Sequence, residues 1–406
     1  MSSIVLISTG SPATNPRLVK EANALQCAGY SVHVLYSYVV DWAEEVDQTI
    51  LDKAKWTAEL IGGSPKQHPW TYTKSTWLFK IVRRLQFLRF RTSRLTRTSR
   101  ALTGAARSRS ADLFIAHNLG ALPAAVLAAQ HHNSVAAFDA EDYHYGEFSS
   151  DSWEANLTRH VEDVWIPQCD ATWSASPFIA SAYQERFPRH TFDVVDNVFP
   201  LTQRAPRKET GKGRVRMMWF SQTIGEGRGL EPLFDALRQQ DKGSWSLTLI
   251  GRVSNSFKDT LEAFGNDHSD EVKVIPPINE RELFQQMARH DIGLALEMGT
   301  PLNRNLCRTN KLFSFILNGC YLLLTDTQAQ SEFIELYPKS GTVLPLDSLR
   351  SWPLIIHDLI QDKAKLTEGK ALNWSLGESE LNWEVERKKL LSLVQTTLES
   401  PAKAKA

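Results

Sequence analysis

The 406-residue sequence predicts an α/β protein of two doubly wound domains, on three observations. Short apolar runs suited to buried parallel strands alternate with helical patterns from the first residues. The alternation halts at a polar, breaker-rich stretch after Pro200, and then it restarts. With 42% hydrophobic and 23% charged residues, the chain can bury two ordinary cores.

In the first half the strand candidates are Ile4 to Ser8, Ser31 to Ser37, Leu113 to His117, Val135 to Asp139, Ala171 to Ser174 and Phe192 to Val195. Gly10 to Arg17 links the first strand to a helix, with Asn15 as cap, Pro16 as first helical residue and Arg17 facing a cleft or solvent. Leu201 to Gly213 reads as a linker. The second set comprises Arg214 to Ser221, Ser246 to Gly251, Val272 to Ile275, Ile292 to Glu297 and Tyr321 to Thr325, with helical stretches such as Glu280 to Arg289 between them. Trp383 to Leu398 forms a last amphipathic helix, and Ala402 to Ala406 a frayed tail. The expected boundaries are 1–200, a linker at 201–213, 214–375, and a terminal helix with its tail at 376–406.

Composition narrows the function. Forty-six basic and forty-six acidic residues cancel, so no global field draws the chain to nucleic acid. Cys27, Cys169, Cys307 and Cys320 show no paired spacing, which argues against a zinc site or a disulfide framework and fits a reducing cytosol. Ile4-Val5-Leu6-Ile7 reads as a first strand and not a signal peptide, and no segment approaches a membrane span. A cytoplasmic protein, peripheral to a membrane at most, is expected.

Three segments carry chemistry. Asn310 to Asp326 reads as a short helix opening at Thr309, a glycine stop and a buried strand. Its first turn offers free amides and Lys311, which suits a phosphate. Ser221 to Leu230 follows a strand, and its glycines let backbone approach a ligand while Arg228 supplies charge. Gly225, Gly227 and Gly229 lack the G-x-G-x-x-G spacing of a dinucleotide site. Ala137 to His144 gathers Asp139, Glu141, Asp142 and His144 beyond a strand end, where the acids either bind a sugar's hydroxyls or cap a helix and meet nearby cations.

Together with His117-Asn118, the Ser11 to Arg17 turn and Trp383-Glu384, these pieces resemble, in order along nearly the whole chain, the retaining glycosyltransferases of the GT-B fold, family 4 especially. The resemblance implies two Rossmann-like domains facing across a cleft, a C-terminal helix crossing back, and transfer of a sugar from a nucleotide sugar to a glycan or lipid-linked acceptor, as in surface polysaccharide or glycoconjugate synthesis. It implies Arg228, Lys311 and Glu141 as catalytic residues. Gln222, Gly227, Asn310, Ser314 and Glu297 would lie on the donor side, and Ser11, Arg17, His117, Asp139 and Asp142 on the acceptor side. No metal and no cofactor are expected. Ser314 stands where the family has glutamate, and Glu141 where it has histidine, which keeps open a non-catalytic binding protein of the same fold; a nucleotide-sugar epimerase is a third reading.

Between Leu60 and Ala111 lie twelve Lys or Arg residues and no Asp or Glu. Trp77, Leu78, Ile81, Leu85 and Leu88 recur at helical spacing, with Arg83, Arg84, Arg89, Arg91, Arg94, Arg97 and Arg100 beside them. The segment Trp77 to Arg100 either meets anionic lipid headgroups or covers the first core while its arginines stay solvated or pair with acids.

Overall fold

The computed structural model describes residues 1–85, 92–206 and 213–399. Leu88, Arg89, Arg91, the centre of the expected linker and the expected tail lie outside the described residues. The chain divides between Asp196 and Asn197, ahead of the expected linker, and the residues from Arg387 onward group with the first unit.

The first unit contains β1 (Ser3–Ser8), α1 (Pro16–Cys27), β2 (Ser31–Ser37), α2 (Asp41–Leu51), β3 (Thr57–Ile61), α3 (Pro69–Arg84), α4 (Ser99–Arg107), β4 (Leu113–His117), α5 (Leu122–His132), β5 (Val135–Ala140), α6 (Trp153–Trp165), β6 (Ala171–Ser174), α7 (Pro177–Arg186) and β7 (Phe192–Val194). Its strands form one sheet of order β3-β2-β1-β4-β5-β6-β7. All neighbours are parallel, Leu6 lying beside Val34 on one side and Ile115 on the other. The order reverses between β1 and β4, so the chain leaves their carboxyl ends in opposite directions and opens a crevice there.

The second unit contains β8 (Val215–Ile224), α8 (Leu230–Leu237), β9 (Trp245–Val253), α9 (Lys258–Asp267), β10 (Val272–Ile275), α10 (Glu280–Met287), β11 (Ile292–Ala295), α11 (Leu302–Leu306), α12 (Asn310–Leu317), β12 (Tyr321–Thr325), α13 (Gln328–Leu336), β13 (Gly341–Leu344), α14 (Trp352–Gln361) and α15 (Lys363–Ser379). The last helix, α16 (Trp383–Glu399), begins in this unit and continues past Arg387. The sheet order is β10-β9-β8-β11-β12-β13, again parallel, with its reversal between β8 and β11. Its core includes Phe234 stacked on Phe264 at 4.1 Å beside Trp245.

The basic segment departs from the core-covering form. Helix α3 buries none of its residues, so Trp77 and Leu78 are not core. Two arginines turn inward instead of outward. Arg94 donates to the Arg83 carbonyl at 2.6 Å and lies over the Trp153 ring, while Arg97 donates to the carbonyls of Gly62, Gly63 and Tyr38. A guanidinium carries enough donors to replace water around several backbone carbonyls, which a loop without acids leaves unpaired.

Candidate active site

At the reversal of the first sheet, five charged side chains meet. Asn15 caps α1, accepting from the Leu18 amide at 3.0 Å, and Pro16 opens the helix. This start aims the first two turns of α1 at the sheet ends, which buries Arg17 and, one turn later, Glu21. Arg17 is therefore turned into the first unit, away from solvent. It is 4% exposed and grips Asp139 at 2.6 and 3.0 Å through Nε and Nη2, while Nη1 donates to the Val195 carbonyl. His117, at the end of β4, has Nδ1 2.9 Å from Glu141 Oε1 and Nε2 2.8 Å from Glu21 Oε2. Asn15 Nδ2 donates to the same Glu141 oxygen at 2.6 Å.

Electrostatics fixes the charge states. Burial opposes the His117 charge, but Glu21, Glu141 and Asp139 outweigh it and push the imidazole up to about 10. Burial raises the Asp139 carboxyl to about 6 against the pull of Arg17 and His117. Burial also acts on Glu141, yet the His117 and Asn15 hydrogen bonds and the nearby cations hold it below the usual carboxylate range. The excess charge of the cluster is negative, and Glu141 is its accessible carboxylate at 21% side-chain exposure, against 2% for Glu21 and 0% for Asp139. The arrangement presents one ionised carboxylate above a buried, charge-compensated base.

The other first-unit residues frame this cluster. Ser11 is buried and shapes the turn, its amide donating to Thr14 Oγ1 and its carbonyl accepting from Thr14 and Asn15. Asn118, at φ 65°, closes the facing side by accepting from Thr9 Oγ1 at 2.6 Å. The acids do not cap a helix: β5 runs on to Ala140, and Asp142 lies beyond it, supporting the charge of His144. Glu21, His117 and Asp139 could offer a metal three ligand atoms within 4.8 Å of one another. Those donors are already committed, because a protonated imidazole has no lone pair to give and Arg17 holds both Asp139 oxygens.

In the second unit the strand β8 runs past the expected Ser221, with a register irregularity between Phe220 and Thr223, so exposed Gln222 is a strand residue. The turn is Gly225 to Gly229. Gly227 and Gly229 adopt φ 66° and 77°, and a Cβ on Gly229 would stand 3.0 Å from Leu296 Cβ. That close approach sets the half-exposed Arg228 beside the segment after β11. The Gly227 amide is taken by Glu231 at 3.0 Å, and its carbonyl accepts from Arg304 at 3.3 Å.

Helix α12 is clamped in place. Gly293 on β11 has no Cβ, and the Phe315 ring fills that space: an added Cβ would lie 2.1 Å from Phe315 Cγ. On its other side Gly377 of α15 lets Leu317 approach. The first turn, with exposed Asn310, is thereby fixed at the sheet reversal. Lys311 reaches back to Glu297 at 2.8 Å, with the buried Trp219 ring 5.7 Å from its Nζ. Ser314, expected on the donor side, offers its hydroxyl to its own helix. It is 1% exposed, and its hydroxyl donates to the Lys311 carbonyl at 2.9 Å, because a side chain this short satisfies itself one turn back. The structure thus brings Arg228, Glu297, Asn310 and Lys311 to one end of the sheet, with the Ser314 hydroxyl committed to the helix backbone.

No protein-family model matches the sequence, and no curated protein matches it. Solved structures do. HepE from Anabaena, in complex with UDP, matches with a TM-score of 0.71 at 14% identity, over 98% of this chain and 100% of its own. Sucrose-phosphate synthase from Thermosynechococcus elongatus matches with a TM-score of 0.71 at 14% identity, over 98% and 99%. The chain has the GT-B fold. A protein described as a UDP-N-acetylglucosamine 2-epimerase from Listeria monocytogenes matches with a TM-score of 0.60 at 11% identity, over 100% and 99%. The GT-B fold therefore accommodates more than one reaction, and residues must decide among them.

Three site residues escaped sequence reasoning. Glu21 is an acid on a helix, and its only signal is the four-residue spacing from Arg17. Trp219 reads as a strand residue. Arg304 sits in a polar stretch whose fold sequence does not specify.

Proposed function

We propose that this protein is a glycosyltransferase that takes a nucleotide-sugar donor on its second unit and an acceptor hydroxyl, of a glycan or a lipid-linked sugar, on its first. The observation that carries the proposal is the pair of cations, Arg228 and Lys311, set with the amino terminus of α12 at the reversal of a parallel sheet; HepE, which is similar in fold, has been solved with UDP and with UDP-glucose. In this reading the bond from sugar C1 to the diphosphate oxygen breaks and the phosphate keeps the electron pair. The acceptor oxygen bonds to C1, and its proton passes to the leaving phosphate. The configuration at C1 is retained, as the sequence resemblance implies.

Growing charge on the leaving phosphate is what Arg228, Lys311 and the helix amides stabilise. Lys311 would exchange Glu297 for phosphate, or share itself between them, while Trp219 keeps its ammonium partly dry. Gln222 and Asn310 are exposed and in this reading contact the donor. Glu141, ionised and accessible, accepts hydrogen bonds from sugar hydroxyls, and Arg17, His117 and Asp139 hold it there. No metal takes part in this scheme.

Calorimetry with a panel of nucleotide sugars, followed by mass detection of transfer, tests the proposal. Arg228→Ala and Lys311→Gln should each lower turnover on the order of a hundredfold. Arg228→Ala should leave the unfolding midpoint unmoved, since no residue among those described pairs with it. Unchanged transfer in both variants defeats these roles. The buried hydroxyl of Ser314 and the Lys311–Glu297 pair favour a second reading, a binding protein without turnover. Donor binding with neither transfer nor hydrolysis would decide for it, and a changed sugar released without acceptor would decide for an epimerase.

A further inference from the structure

Helix α3 has sixteen residues and buries none of them, yet it is fastened to the first unit. Its attached side is defined by contacts. The Tyr72 ring meets Tyr38 edge-on at 5.4 Å and lies 4.7 Å from the Arg97 guanidinium, and Ser75 Oγ accepts from Arg97 at 3.0 Å. At 100° per residue, Tyr72, Ser75, Phe79 and Arg83 share that side. The opposite side is formed by Trp70, Lys74, Trp77, Leu78, Lys80 and Arg84. There Trp70 is 87% exposed, Trp77 62% and Leu78 45%. The cation side chains are exposed as well.

We propose that this outer face of α3 docks the protein on an anionic lipid surface, with Trp70, Trp77 and Leu78 entering the headgroup boundary and Lys74, Lys80 and Arg84 meeting lipid phosphates. The chemistry of the face selects this occupant. Large aromatic rings with one polar atom favour a boundary that is wet on one side and apolar on the other. Lysine and arginine stems lie along an apolar layer while their charges stay at its rim. No acid from Leu60 to Ala111 offsets the positive field. A second copy of the chain fits poorly, because a two-fold contact through this face would set its cations against one another. No helix among the described residues is long and apolar enough to cross a membrane, so the contact is one of surface adhesion. The inference is independent of which reaction the protein performs.

Vesicle co-sedimentation tests it. The full chain should sediment with phosphatidylcholine vesicles carrying roughly one-third phosphatidylglycerol and hardly at all with phosphatidylcholine alone, and rising salt should release it. Lys74→Ala and Lys80→Ala should each weaken partition roughly five-fold. Trp70→Ser combined with Trp77→Ser should abolish it, while the unfolding midpoint stays fixed because neither ring is buried. Equal sedimentation with both vesicle types, or with neither, overturns the proposal. So does full binding by these variants. Self-association that Trp77→Ser removes, without vesicle binding, overturns it in favour of a second copy.

Discussion

His117 is enclosed by carboxylates on both ring nitrogens and has no exposed surface, so its proton is part of the folded structure. An ordinary histidine titrates near 6.5, and this one is pushed up to about 10. A folded-state value above the unfolded one means that the folded chain holds the proton more tightly. The resulting stability is fully present below about pH 6.5 and is lost as pH rises through about 10. His144, raised to about 9 after burial is outweighed by Glu147, contributes in the same direction. Denaturant unfolding from pH 7 to 10 should therefore show falling stability, and His117→Gln should reduce that slope to what His144 leaves. An identical slope in the variant would mean that His117 is neutral in the folded chain. The chemical kinds of these residues were legible, since Asp139, Glu141, His117 and Arg17 all stand out at strand or helix ends. Their pairing was not, because sequence separates Arg17 from Asp139 by the whole of the β1 to β5 winding. The hydrogen bond of Ser314 was hidden for a related reason: a helix position says which face a residue takes, but not whether a short hydroxyl prefers its own backbone.

At the scale of elements, strands buried on both faces announced themselves. Ser31–Ser37, Leu113–His117 and Tyr321–Thr325 lie where their apolar runs put them. The two strands that were missed are both sheet edges. β3 reads Thr-Ala-Glu-Leu-Ile and is half exposed, so its polar residues hide the run, and β13 is four residues opened by a glycine. The clamp on α12 was equally hidden. Gly293 reads as an interruption of a strand, whereas its role is to admit the Phe315 ring. Gly293→Ala should push α12 off β11, cost about 1–3 kcal/mol of stability and weaken nucleotide binding by displacing Lys311. Adding Phe315→Leu should restore part of both, because the smaller side chain yields the space. Unchanged binding by Gly293→Ala alone of whichever nucleotide the intact chain takes would show that the position of α12 does not set the proposed site.

At the scale of the whole molecule, the chain completes its first unit last. Residues 1–196 supply the sheet, but Leu390 and Val394 of α16 are 1% and 0% exposed and group with that unit. The second unit ends before them, at Glu386. A chain stopped after Glu386 therefore removes buried apolar side chains from the first unit only, at roughly 1.5–3 kcal/mol for each of the two. Calorimetric unfolding should assign that loss. The transition whose stability falls from pH 7 to 10 belongs to the unit containing His117 and should move down. Under the proposed function, the transition that a bound donor nucleotide raises, by about 2.7 kcal/mol at a hundredfold excess over Kd, should stay in place. Movement of the nucleotide-sensitive transition alone would place the end of α16 in the second unit's stability and contradict the grouping. Loss of both together would show that the two units unfold as one cooperative body, in which case the pH slope and the nucleotide effect must appear in a single transition of the intact chain.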